Sequence, residues 1–204
     1  MSAQVLSVSL PSEIIYVSGT VNGTAYTWTL IEGAWTATVE RAADDTYAVA
    51  LTAVTAAGVS TNYTLTLYYG LLSLITDRTR ADVANQTDKG FYNASDLNRV
   101  GAAVEYIAGR FTALGYDCPV TVKKDWLASD IPTASELETY RQNIATLRAL
   151  IAVMPTTPKA PDSMAGLTYT EANSIEQILL DLDALLTNAA AAWYQSGELF
   201  AGEV

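Results

Sequence analysis

The hydrophobic period of this chain changes once, near residue 72, and that change limits what it can fold into. Before it, apolar and polar residues alternate. In "AYTWTLIE", Tyr26, Trp28 and Leu30 fall on one side and Thr27 and Thr29 on the other. "AWTATVE" repeats the pattern with Trp35, Ala37 and Val39, "TYAVALTAV" with Tyr47, Val49, Leu51 and Ala53, and "NYTLTLYY" with Tyr63, Leu65, Leu67 and Tyr69. A period of two, rich in Thr, Val and aromatic residues, marks half-buried strands. "VNG", "IEG", "RAADD" and "AAG" supply the turns. With "QVLSVSL" and "EIIYVSG" in front, six or seven short strands at regular spacing predict a β-sandwich over residues 1–72.

From about residue 76 the period becomes helical. Leu97, Val100, Val104, Ile107, Phe111 and Leu114 step by three and four residues and define one face of a helix. Asn93 suits its N-cap, Asp96 the acidic position three residues on, and Gly115 its left-handed end. Arg99 and Arg110 of the same stretch are expected in solvent. A second stripe follows Pro132: Leu137, Tyr140, Ile144, Leu147, Ile151 and Met154, with Thr133 and Glu136 as a capping box and Pro155 as the stop. Thr168 and Glu171 open a third, through Ile175, Ile178, Leu182, Leu185 and Ala189. A shorter helix, "RADVANQT", precedes them behind Thr79. Three such faces bury one another in a helical bundle. The predicted fold is therefore α+β with two domains, a β-sandwich at 1–72 and a bundle of three main helices at 73–204 ending in a short C-terminal tail.

The third helix also carries Leu179 and Leu186, and the chain ends "AAAAWYQSGELFAGEV". A wide stripe facing two neighbours, with the tail folded back, accounts for this surplus. The sharper reading is a subunit interface through Leu179, Leu186, Trp193, Tyr194, Leu199 and Phe200, because contiguous exposed aromatic residues mark contacts.

Composition excludes more than it assigns. The chain has no histidine, which removes Ser-His-Asp and Cys-His machinery and histidine metal sites. The one cysteine, Cys118, has no histidine to activate it and no partner for an internal disulfide. Neither phosphate-cradling glycine motif occurs. Asp181 and Asp183 stand two apart on a predicted helix and cannot converge as a glycosidase pair. Asp44 and Asp45 share a turn, where acids are solvated, and lack the alternating oxygen ligands of a calcium site. No catalytic residue, metal or cofactor is assigned. A net charge of −11 disfavours nucleic acid and anionic membrane surfaces as partners. The first residues show no signal peptide, and no run is long enough to span a membrane, so synthesis in the cytoplasm is expected.

Two resemblances add to this. "DDTYAVALTAVTAAG" resembles the late strand and turn of immunoglobulin-like and fibronectin-like domains, in which a tyrosine closes a corner by bonding upstream backbone; Tyr47 stands in that place. "LITDRTRADV", "YNASDLNRVGAAVEYIAGRF", "DWLASDIPTASELETYRQNIATLRALIAVMP", "PDSMAGLTYTEANSIEQILLDLDALL" and "WYQSGELFAGEV" resemble, in order over residues 74–204, a module of tail or minor structural proteins of bacteriophages and prophages of Gram-positive bacteria. The segment between the "ITDRT" and "YNA" parts is shorter here than in that module. The resemblance implies a non-enzymatic virion protein whose helical module docks to itself or to another virion protein, with the sandwich for display or contacts. The alternative is a binding module in which the immunoglobulin-like domain recognises a host surface glycan or protein. Trp28 and Trp35 offer rings for a sugar, yet their alternation places them in the core.

Overall fold

A computed structural model describes residues 3–42, 46–69, 71 and 74–196, the last seven of these as backbone. The chain is an α+β protein with seven strands in two antiparallel sheets and three main helices. By spatial proximity its residues form two compact units. One comprises residues 1–73, 92–103 and 123–132, and the other residues 74–91, 104–122 and 133–204.

In the first unit the strands are β1 (Ala3–Val8), β2 (Ile14–Val21), β3 (Thr24–Thr27), β4 (Thr29–Ile31), β5 (Ala34–Glu40), β6 (Thr46–Thr55) and β7 (Ser60–Tyr68). One sheet has the order β1-β5-β4 and the other β3-β2-β6-β7. Alternation sets the inward faces: Leu6 and Val8, Trp35, Ala37 and Val39, and Tyr47, Val49, Leu51 and Ala53 are all buried in one shared core. "AYTWTLIE" is not one strand, as its unbroken alternation suggested. It switches sheets at Trp28, which is 5% exposed, so β3 pairs with β2 and β4 with β5, while Leu30 faces solvent. Gly19 of β2 lies under Leu51; a Cβ there would stand 2.7 Å from Leu51 Cδ2, with the Ala50 carbonyl oxygen closer still.

Tyr47 is fully buried at the start of β6, and its hydroxyl accepts the backbone N–H of Ala42 at 3.0 Å. Tyr47→Phe keeps the ring and strands that donor. The loss expected in urea unfolding is about 1–3 kcal/mol, with the fold retained; an unchanged midpoint would show that the corner does not depend on the bond.

The first unit also takes in residues from outside the strands. Leu127 joins fifteen residues between Leu6 and Leu67 in the buried core. Beside it, Asp125 accepts the N–H of Ser9 at 2.5 Å, and the Tyr68 hydroxyl meets Ser95 Oγ at 2.8 Å.

The helices are α1 (Arg80–Ala84), α2 (Ala94–Ala113), α3 (Ala134–Ala149) and α4 (Tyr169–Ser196). Each begins where its capping residues predict. Thr79 with Asp82, Asn93 with Asp96, Thr133 with Glu136 and Thr168 with Glu171 exchange the reciprocal bonds that satisfy a helix's first free N–H groups. The Thr79 and Thr168 hydroxyls and backbone amides hold the carboxyls of Asp82 and Glu171 below their usual range. Gly115 ends α2 with φ +85°.

Helix α3 stops at Ala149, one turn before the expected Met154. The chain doubles back there, and the Arg148 guanidinium donates to the carbonyls of Pro158 (2.5 Å) and Thr157 (3.3 Å). Ile151 is half-buried and Met154 is exposed.

On α3, hydrogen bonds from Arg141, then Gln142, hold Glu138 down to about 2. A depressed carboxyl contributes stability above its unfolded value and loses it as pH falls through the folded one. The contribution is thus complete above about pH 4.5 and fades toward pH 2. Arg141→Gln should return the Glu138 carboxyl toward its ordinary titration, read by side-chain NMR. A Glu138 that titrates normally in the unaltered protein would contradict the pairing.

Candidate functional site

The stretch Phe91–Phe111 concentrates polar groups that invite a chemical reading, and the structure uses them within each unit. In the first unit Arg99 is not in solvent as expected: it is 5% exposed and pairs with Asp96 at 2.5 Å. In the second, Arg110 is also paired, donating to the Asp183 carboxylate and carbonyl and to Thr187. Both corrections have one cause. An arginine three or four positions from a buried apolar residue lies at the edge of the packed face, where a carboxylate in reach outcompetes water.

A device absent from the sequence reading recurs on all three main helices. An asparagine amide sets an N–H donor beside a carbonyl acceptor, spaced to pair with both backbone groups of a single extended residue. Asn98 of α2 accepts the Trp126 N–H at 2.6 Å and donates to its carbonyl at 2.9 Å. Asn143 of α3 does the same for Thr121, at 3.1 and 2.6 Å. Asn173 of α4 holds Arg78, at 3.0 and 2.9 Å. Each helix thereby fixes one residue of an irregular segment whose backbone has no ladder of its own. The signal was present: asparagine disfavours helix interiors, yet these three lie within or beside apolar stripes.

Beside Asn173 sits an ion pair in the second unit. Glu176 has no exposed surface; its carboxylate takes Arg78 at 2.7 Å and the Ile75 N–H at 2.5 Å, while Arg78 also donates to the Ile75 carbonyl. The polar groups bond one another and the local backbone, and they face no cavity among those described.

Of the interface candidates, Leu179 and Leu186 are 0% and 1% exposed, so this chain's own packing already covers them. Trp193 and Tyr194 lie on the α4 backbone with side chains outside the described residues, and Leu199 and Phe200 lie outside them altogether, as do Asp44 and Asp45. Trp28 and Trp35 are buried, as their alternation implied. Asp181 accepts from Thr157 and Gln177, and Asp183 pairs with Arg110, so the two serve separate contacts. Burial, then the charge of Asp117, pushes the Cys118 thiol up, away from the thiolate a nucleophile needs. Among the described residues no group of three His, Cys, Asp or Glu is placed to hold a metal, and no helix is long and apolar enough to cross a membrane.

Among the described residues, two open grooves stand out, both within the first unit. One of ≈490 Å³ lies where the sheets meet beside the switch at Trp28, walled by Tyr26, Thr27, Thr29, Ile31, Thr36 and Thr38. The other, ≈350 Å³, runs between β7 and the start of α2, past Thr64, Thr66, Asn93, Ser95 and Trp126. No charged side chain lines either groove. The fold is α+β, and its buried ion pairs, Arg78–Glu176 and Arg99–Asp96, lie away from both grooves. Comparison with protein-family models, curated proteins and solved structures gives no match.

Proposed function

We propose that this chain is a non-enzymatic structural protein of a bacteriophage or prophage particle, in the tail or among the minor virion components. Its first unit is an immunoglobulin-like sandwich for display or contacts, and its helical part serves assembly with itself or with other virion proteins. One observation supports the non-enzymatic reading: the buried ionic side chains Arg78, Asp96, Arg99 and Glu176 pair with one another and with backbone, and none of them lines either groove. The immunoglobulin-like reading draws on topology. The orders β1-β5-β4 and β3-β2-β6-β7 correspond to strands B-E-D and C′-C-F-G of such domains, and Tyr47 bonds upstream backbone at the start of the strand in the F position. The virion reading rests on the ordered phrases of residues 74–204.

Immunogold labelling of particles from the bacterium or phage that encodes the chain tests this. Label at one fixed place on the particle is the expected result; particles that stay unlabelled after mild disruption would overturn it.

A second reading, recognition of a host glycan or protein by the sandwich, is favoured by the groove at Trp28. Its four threonine hydroxyls and Tyr26 suit an uncharged ligand with many hydroxyls. Binding on a glycan array that Tyr26→Ala removes would support it, and no binding to glycans or host cells would end it.

A further inference from the structure

We infer that β1 is a pairing edge for a second copy of this chain, joined antiparallel about a two-fold axis. Among the described residues β1 pairs with β5 alone; Gln4, Leu6 and Val8 turn their backbone groups toward β5, so those of Ala3, Val5 and Ser7 on the other side have no strand partner, the exposed Gln4 amide reaching only the Val5 carbonyl. An unpaired edge is a template for another strand, and proteins guard such edges with lysine, proline, bulges or very short strands. The other edges of the two sheets show such protection. β3 and β4 are four and three residues long, and β7 meets Asn98, which donates to the Thr66 carbonyl at 3.3 Å. β1 has six residues with no lysine, proline or bulge.

Charge selects the occupant. The chain carries −11, yet no charged side chain occurs in residues 3–12, which hold β1 and the turn after it. A basic partner would find nothing to read on this edge, whereas two acidic copies can meet here without like charges opposed. The strand is also self-complementary, because an isologous contact needs only that β1 accept its own reverse. Val5, 55% exposed on the outer face, would pack against its symmetry mate and complete a six-stranded sheet, β4-β5-β1-β1-β5-β4. The gain is limited to backbone bonds and the outer face, since Leu6 and Val8 are already fully buried. Association should therefore be reversible and concentration-dependent.

The test is sedimentation of the full chain over a concentration series, with amide exchange of β1 at both ends of it. The unaltered protein is expected to move from 21.8 kDa toward twice that mass, while amides on the outer side of β1 slow in exchange at least several-fold. Val5→Lys, at an exposed position, should stay monomeric with an unchanged melting temperature. A monomer up to about 1 mM, or a dimer that Val5→Lys leaves intact, would overturn the inference. So would a dimer that forms without slowing β1 exchange, because the contact would then lie elsewhere.

Discussion

A fragment ending at residue 73 should fail to unfold cooperatively, although it contains all seven described strands. Fifteen buried residues of its core lie within it, but Leu127 does not, and neither do Asp125, which takes the Ser9 N–H, or Asn98, which donates to Thr66. Without Leu127 the core has an open flank, and small domains have little stability to spare. The intact chain should show the same dependence on Leu127. Leu127→Ala should cost about 2–5 kcal/mol, the range for deleting a buried leucine from a packed core. Ile131→Asp, four residues on and 90% exposed, should leave the urea midpoint unchanged. A fragment with a sharp melt, or a Leu127→Ala chain as stable as its parent, would mean that the strands close the core unaided.

The second large effect is expected from Arg78→Met. It leaves the Glu176 carboxylate with no exposed surface and without its guanidinium, a situation that typically costs about 3–5 kcal/mol. Glu176→Met in the same chain removes the stranded charge and should recover part of the loss. Recovery will be incomplete, because the Ile75 N–H then loses its acceptor, worth about 1–3 kcal/mol when buried. The double-mutant cycle in urea separates these contributions. If Arg78→Met were neutral, the segment around Ile75 would owe nothing to the pair.

These two sites show what the sequence could and could not reveal. Periodicity found the strands and helices because burying one face of an element demands a repeat of 2 or 3.6. Caps were legible because Thr-x-x-Glu and Asn-x-x-Asp satisfy local N–H groups, whatever the rest of the chain does. Tyr47 was legible because its partner, Ala42, lies five residues away. What escaped depends on distant chain. Leu127 sits in an irregular stretch with no period, and nothing around it announces a place in a β core. Arg99, read as solvent-facing, is buried with Asp96 although only three positions separate them, since burial is settled by what packs over the helix. Arg110 meets a carboxylate 73 positions away. The switch at Trp28 was hidden because alternation continues unbroken while the hydrogen-bonding partner changes from β2 to β5.

The candidate site was the less legible part. Leu179 and Leu186 marked a wide apolar stripe correctly, but a stripe's width does not tell whether a neighbouring helix or a neighbouring subunit covers it. The uncharged edge of β1 lies in plain view in the sequence. Its importance appears only once the sheet order makes it an edge.

The proposed virion role is tested most directly by the copy number of this chain in gradient-purified particles, measured by quantitative mass spectrometry against a major structural protein. A fixed ratio that persists through a second gradient and a high-salt wash is the predicted result. A chain that is abundant in the producing cells but absent from washed particles would contradict the account.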